Sequence, residues 1–88
     1  MPDYRVKTTV DDGGVSSGEK DICVRLGQRI RKLRTKRGWS QTYMAVHLGL
    51  DRSYISDLEG GKREICIRNL EVIALGFGVT PAQLLSKI

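Results

Sequence analysis

Apolar residues recur every three or four positions over most of the chain, and this spacing predicts helices rather than strands. The clearest apolar stripe consists of Ile22, Leu26, Ile30 and Leu33. Asp21 is a candidate N-cap just before this stripe, and Gly38 follows it where a left-handed C-cap is favoured. We therefore predict a first helix over about Asp21–Arg37.

Four shorter helices are predicted to follow. Ser40 and Asp51 can cap the second and third, because their side-chain oxygens accept free backbone N–H groups, and Thr80-Pro81 is typical of a helix start. The predicted spans are Gln41–Leu48, Asp51 to Gly60-Gly61, Ile67 to about Gly76–Gly78, and Pro81 through Leu84, Leu85 and Ile88. The expected fold class is all-α, with five helices in one domain over residues 21–88.

Residues 1–20 have a different composition. They contain Gly13-Gly14 and Ser16-Ser17-Gly18 and few large apolar side chains, which favours an arm that is flexible or ordered by a partner. The stretch Tyr4–Val10 alternates weakly and would form a strand if another segment paired with it.

The positive charge is concentrated in one part of the sequence. The chain of 88 residues has 15 Lys and Arg against 10 Asp and Glu. Residues 22–50 contain seven of these basic residues and no acidic one. Such a block attracts polyanions, although a solvated helix face explains it equally well. Charge alone therefore does not assign a nucleic-acid ligand.

Other chemistry is scarce. Cys23 and Cys66 do not make a disulfide framework, and we expect a reducing, cytoplasmic setting. His47 lacks further ligands at suitable spacing, so neither a metal nor a cofactor is expected. No apolar run is long enough for a membrane span, and no catalytic set of carboxylates or of Ser, His and Asp is evident. We expect Trp39 to pack over the core, and Cys66 to pack or cap weakly before the fourth helix.

The most informative segment is Gln41–Gly60. Ala45 is small where a second helix must cross closely, and Gly49 stands where a tight turn needs positive φ. Ile55 and Leu58 can anchor the second of these helices to the core. Together these positions predict a helix-turn-helix.

The sequence around this segment resembles a known family. The stretch LGQRIRKLRTKRGWSQTYMAVHLGLDRSYISDLEGG, continued to about Leu85, is similar to the Xre/Cro-type, phage-repressor-like helix-turn-helix family. LDRSYIS followed by GKREICIRNLE resembles the controller proteins of restriction–modification systems. This chain departs from the pattern at Thr42 and Tyr43, where many members carry Glu, and at Gly60, where Asn or Arg is frequent.

The resemblance implies that the third helix enters the major groove of DNA. The expected base-contacting residues are Arg52, Ser53, Ser56 and Asp57. Arg52 can bond guanine in bidentate fashion, the alternative being a surface ion pair with Asp51 or Asp57. The two serines are alternatively plain solvated surface, and Asp57 is alternatively a salt-bridge partner.

Phosphate contacts and a dimer interface are also implied. The expected phosphate-binding residues are Gln41, Tyr43, Tyr54, Lys62, Arg63 and Asn69. Family dimers pair through their fourth and fifth helices, where this chain carries the apolar residues Phe77, Val79, Leu84, Leu85 and Ile88. These residues alternatively close the core of the monomer.

The expected function is a transcriptional regulator that binds a pseudo-palindromic operator in double-stranded DNA as a homodimer, and that blocks or recruits polymerase. A controller of a restriction–modification system is the narrower expectation. One alternative is an antitoxin whose arm, residues 1–20, binds a protein toxin. Another is an interaction module that kept the fold without binding DNA.

Overall fold

The computed structural model describes residues 20–88, and these form five α-helices without a strand. The helices are α1 (Ile22–Lys36), α2 (Gln41–Leu48), α3 (Arg52–Glu59), α4 (Ile67–Gly76) and α5 (Pro81–Leu85). The predicted all-α, five-helix class is confirmed. Apart from Lys20, the predicted arm and its Tyr4–Val10 strand lie outside the described residues.

Three helices begin with the side-chain caps that the sequence predicts. The Asp21 carboxylate accepts a hydrogen bond from the Cys23 backbone N–H at 2.9 Å. The Ser40 hydroxyl accepts from the Tyr43 N–H, also at 2.9 Å. At α5, Thr80 forms a reciprocal capping box with Gln83. Each of these interactions satisfies a backbone donor that the first turn of a helix leaves free.

The other two helices begin without such a bond. Asp51 and Cys66 occupy the N-cap positions of α3 and α4, but neither side chain accepts a capping hydrogen bond. The Cys66 side chain is exposed, so the expectation that it packs or caps is wrong. A thiol is a weak acceptor, and an exposed backbone N–H can be satisfied by water instead.

The last helix is shorter than its apolar pattern predicts: α5 ends at Leu85, and Ile88 lies outside it. Side chains of α1 bind the carbonyls at this end of the chain. Arg29 donates to the carbonyls of Leu84 at 3.1 Å and Gln83 at 3.2 Å, and Arg25 donates to that of Ile88 at 3.3 Å. Since these bonds satisfy carbonyls that a longer helix would use, α5 does not need to continue.

The core lies where the five helices meet. Its members are buried apolar residues: Leu26, Ile30, Met44, Ala45, Ile55, Leu58, Leu70, Ile73, Ala74, Phe77 and Leu84. Trp39 packs against this core, as expected, with its ring stacked on Phe77 at a centroid distance of 5.4 Å. A single core of this kind fixes α2 and α3 relative to the other helices.

Helices α1 and α3 cross with their backbones nearly in contact. A β-carbon added at Gly27 would lie 2.2 Å from the Leu58 carbonyl oxygen and 2.8 Å from that of Glu59. Only glycine permits this approach. The sequence pattern pointed to Ala45 as the small residue at a crossing, but Gly27 is the residue that allows α3 to lie flat on α1.

A buried ion pair lies beside this crossing. Arg34 of α1 donates to both oxygens of Glu59 of α3, at 2.6 and 3.0 Å. The two side chains are only 11% and 4% exposed. The hydrogen bond to Glu59 raises the pKa of the Arg34 guanidinium, which therefore stays charged. Its remaining nitrogen donates to the Trp39 carbonyl at 2.8 Å, so the pair also holds the turn before α2.

Within residues 20–88, no helix combines the length and the apolar character needed to cross a membrane.

Replacement of Gly27 by Ala should lower the free energy of unfolding by about 1–3 kcal/mol, because the added methyl group must push α3 away from α1. Urea denaturation followed by circular dichroism measures this change. The matched control is Gln28→Ala at an exposed position of the same helix, which should change stability by less than about 0.5 kcal/mol. Equal stability of Gly27→Ala and the parent protein would contradict the close crossing.

Replacement of Glu59 by Leu should cost about 3–5 kcal/mol, because it leaves the charge of Arg34 buried and unpaired. Adding Arg34→Met removes that charge and should restore much of the loss, since apolar residues often replace a buried ion pair at little cost. Denaturation of both single variants and the double variant gives the coupling energy. Strictly additive losses would show that the two side chains do not act as a pair.

Candidate nucleic-acid interface

Helices α2 and α3 meet through the tight turn that the sequence predicts. Gly49 has φ of +73°, which places it in the left-handed region that favours glycine. The Leu50 N–H donates to the Ala45 carbonyl at 2.9 Å and closes the turn. Ala45 is buried where the helices cross, and Ile55 anchors α3 in the core. The predicted helix-turn-helix is therefore present.

The outer side of α3 carries the four residues expected to contact bases. Arg52 and Ser53 are exposed, whereas Ser56 and Asp57 are half-buried. They belong to one short helix whose apolar residues face inward. The fold therefore brings these four together, with Arg52 and Ser53 the more accessible.

Arg52 is held by Gln41 across the turn. Its Nη1 donates to the Gln41 side-chain oxygen at 3.0 Å, and the Gln41 amide nitrogen donates to Glu59 Oε1 at 3.1 Å. The ion pair of Arg34 and Glu59 is thus connected through Gln41 to the exposed arginine. No ion pair between Arg52 and either Asp51 or Asp57 is formed among residues 20–88.

This partner matters because it is neutral. A carboxylate in its place would add the attraction of an ion pair to the hydrogen bond and would cancel the charge of Arg52. Gln41 therefore orients Arg52 without neutralising its charge. Replacing the Gln41 contact of Arg52 by a contact with a DNA base costs less free energy than breaking an ion pair with a carboxylate would. The Gln41 amide also has a second N–H, which remains available for a phosphate beside the start of α2.

Three of the predicted phosphate-binding residues lie together. Asn69 of α4 donates to the Tyr54 hydroxyl at 2.9 Å. The Arg63 guanidinium lies over the Tyr54 ring, 5.0 Å from its centroid. With Ser53 and Asp57, these residues line a shallow groove of about 380 Å³ beside α3. The sequence indicated these three residues as candidates, but their contacts with one another depend on how α3 and α4 meet.

The remaining candidates are placed differently. Lys62 is exposed in the loop after α3. Tyr43 is exposed on α2, where its ring stacks on His47 at a centroid distance of 5.4 Å and packs at an angle against Trp39. Tyr43 therefore belongs to an aromatic cluster on α2 rather than to the group around Tyr54.

The apolar residues expected at a dimer interface are divided by the fold. Phe77 and Leu84 are 1% and 0% exposed, because they fill the core of the monomer, and they leave no surface for a second subunit. Leu85 is 37% exposed, and Val79 and Ile88 are half-buried. The candidate interface is therefore reduced to these last three residues.

An apolar groove that the sequence did not indicate lies beside Leu85. It has a volume of about 440 Å³, and its lining includes Ile22, Leu26, Ile65 and Leu85. Ile67, at the start of α4, is also largely exposed. The groove is formed by three separate segments: the start of α1, the loop that precedes α4, and helix α5. No local sequence pattern could therefore have predicted it.

The cysteines and the histidine show no site. Partial burial raises the pKa of the Cys23 thiol, and the negative charge of the nearby Asp21 carboxylate raises it further. The reactive thiolate is therefore scarce near neutral pH. Residues 20–88 contain no group of three His, Cys, Asp or Glu side chains that could hold a metal ion.

Comparison with known proteins places this geometry in a family. A family model described as a helix-turn-helix domain matches residues 27–88. The control protein C.MunI from a Mycoplasma species is 44% identical over 69 residues, which cover 77% of this chain and 93% of that protein.

Two solved structures are similar to this fold. The restriction–modification controller protein C.AhdI from Aeromonas hydrophila has 40% identity and a TM-score of 0.68, covering 70% of this chain and 94% of that one. The controller protein C.Esp1396I, solved as a tetramer in complex with its natural 35 base-pair operator, has 32% identity and a TM-score of 0.67, covering 75% and 87%. The chain therefore belongs to the helix-turn-helix domain family, and its relatives within that family include control proteins of restriction–modification systems.

Proposed function

We propose that this protein is a sequence-specific DNA-binding transcriptional regulator that controls a restriction–modification system. It binds a pseudo-palindromic operator as a homodimer and there blocks or recruits RNA polymerase. The observation that carries this proposal is the exposed Arg52 guanidinium, which Gln41 orients at the start of α3 without neutralising it. Because the ligand is DNA, we place the protein in the cytoplasm.

In this proposal, α3 lies in the major groove and Arg52 exchanges its bond with Gln41 for a bidentate contact with guanine O6 and N7. Ser53 adds a short hydroxyl beside it. Ser56 and Asp57 contribute at the groove wall, where the Asp57 carboxylate can accept from a cytosine amino group. These contacts select the sequence.

The duplex is positioned by contacts to its backbone. The start of α2 offers free N–H groups and the Gln41 amide to a phosphate, and α4 offers Asn69. Lys62 and Arg63 supply charge from the loop between α3 and α4, and the hydroxyls of Tyr43 and Tyr54 can donate to phosphate oxygens. These contacts set register and affinity without selecting bases.

A dimer supplies the second half-site. We place its interface on the α5 side, where Leu85, Val79 and Ile88 retain surface and where the apolar groove beside Leu85 offers further area. The C.Esp1396I complex, a tetramer on its operator, supports an oligomeric assembly on DNA. The relatives are control proteins, which gives the antitoxin alternative no support.

Replacement of Arg52 by Ala should weaken operator binding by about 1–3 kcal/mol and relax discrimination at one base pair in each half-site. The operator is first obtained by selection from random duplexes, and affinity is then measured by fluorescence anisotropy. Arg31→Ala is the matched control, because it removes the same charge from an exposed position on α1. Equal preference of parent and Arg52→Ala protein for operator over random duplex would remove Arg52 from the proposal.

Replacement of Lys62 by Ala should weaken operator and random duplex alike. The slope of log affinity against log salt should become shallower by about 0.9, since one phosphate contact is lost. Titrations at several salt concentrations measure this slope. A loss confined to the operator would instead assign Lys62 to base contact.

A further inference from the structure

Helix α1 carries a stripe of cations that the operator-binding surface does not use. The stripe consists of Arg25, Arg29, Lys32 and Lys36, which follow one another at spacings of four, three and four and therefore share one side of the helix. From the first to the last, the stripe is roughly 16 Å long at the rise of an α-helix. We name it the α1 stripe.

The α1 stripe faces away from α3. Arg25 and Arg29 flank Gly27, and Lys32 and Lys36 flank Arg34, each two residues away. Gly27 and Arg34 both contact α3. Since two residues turn an α-helix by about 200°, the stripe lies on the opposite side of α1, about one helix diameter, or roughly 10 Å, farther from α3. A straight duplex held by α3 does not reach it.

The stripe forms one wall of a shallow groove. This groove has a volume of about 560 Å³ and is lined by Arg25, Gln28, Arg29, Lys32, Lys36, Lys87 and Ile88. No acidic side chain belongs to the lining, and α1 itself contains none. The side chains that line the groove therefore concentrate positive charge, with no acidic side chain among them to balance it.

Two of the cations are fixed in place. Arg29 is held by the carbonyls of Leu84 and Gln83, and Arg25 by those of Lys20 and Ile88. The carbonyls of Lys20, Gln83 and Leu84 are neutral and do not cancel the guanidinium charges, and both side chains keep further N–H donors. Lys32 and Lys36 are exposed beside them. Such an arrangement suits an extended anion better than a single small one.

We propose that the α1 stripe binds the phosphate backbone of a second DNA duplex, without base selection, while α3 occupies the operator. A duplex carries one negative charge per about 1.7 Å of its axis, which complements a row of cations roughly 16 Å long. A protein interface would need apolar or aromatic anchors at its centre, and this groove offers only Ile88, which is half-buried and already assigned to the edge of the proposed dimer interface. The charge and the shortage of apolar surface therefore favour nucleic acid over an acidic protein.

The experiment measures bridging between two duplexes. A biotinylated short operator duplex is saturated with the full chain on streptavidin beads, unbound protein is washed away, and a fluorescent duplex of unrelated sequence is added. The double variant Lys32→Gln/Lys36→Gln should capture about tenfold less of the fluorescent duplex. The slope of log capture against log salt should become shallower by about 1.8, since two phosphate contacts are lost. Retention of protein on the operator should stay within about twofold of the parent.

The matched control is Lys20→Gln/Arg31→Gln, which removes the same charge from two exposed positions off the stripe. It should capture the second duplex as the parent protein does. Three results would overturn the proposal: no capture by the parent protein, full capture by the stripe variant, or equal loss in the control variant. Tighter binding of poly-glutamate than of duplex by the stripe would also overturn it, in favour of an acidic protein.

This inference uses the proposed operator only as an anchor, and the two can fail separately. If no operator is selected, anisotropy titration of an unrelated duplex with the Arg52→Ala protein still measures the stripe. Binding that is then lost on adding Lys32→Gln/Lys36→Gln supports the stripe, and binding that is unchanged contradicts it.

Discussion

The arrangement of this domain depends on one buried ion pair. Two charged groups removed from water are tolerated only where nearly every donor and acceptor is satisfied. Arg34 meets this condition by donating from three nitrogens, to Glu59 and to the Trp39 carbonyl, while Glu59 also accepts from Gln41. These bonds join α1, the turn after it, α2 and α3. A rotation or slide of α3 would leave a charge unpaired, so the helix has one favourable position.

The arginines of this chain show how the partner decides the role of a side chain. A carboxylate holds Arg34, and the result is a structural cation whose charge is cancelled. A neutral amide holds Arg52, and backbone carbonyls hold Arg29, so these two are oriented while their charge persists. Fixed but uncancelled cations are suited to binding anions, because less side-chain entropy is lost when the ligand arrives.

Much of the fold could be predicted because its signals are local. The caps at Asp21, Ser40 and Thr80 and the positive φ of Gly49 each depend on a few neighbouring residues, and the structure confirms them. Helix periodicity also showed which side of α3 faces outward. These features sufficed for the helix-turn-helix and for the exposed position of Arg52.

The features that sequence reasoning missed depend on contacts between distant residues. Arg34 and Glu59 are 25 positions apart, and nothing in the basic block distinguishes Arg34 from its exposed neighbours. The role of Gly27 depends on the backbone of α3 beside it, which the local sequence does not show. Leu84 was assigned to a dimer interface, with closure of the monomer core as the alternative, since apolar pattern alone does not separate the centre of a small core from its edge.

The brevity of α5 would link the folding of the monomer to formation of the proposed dimer. Five residues are too few for an isolated helix, so α5 persists through its capping box, the arginines that bind its last carbonyls, and the insertion of Leu84 into the core. Fraying of this segment uncovers a fully buried leucine at the end of the chain. In the proposed dimer, a second subunit seated against Leu85 would suppress that fraying, and the thermal midpoint of the protein would rise with its concentration.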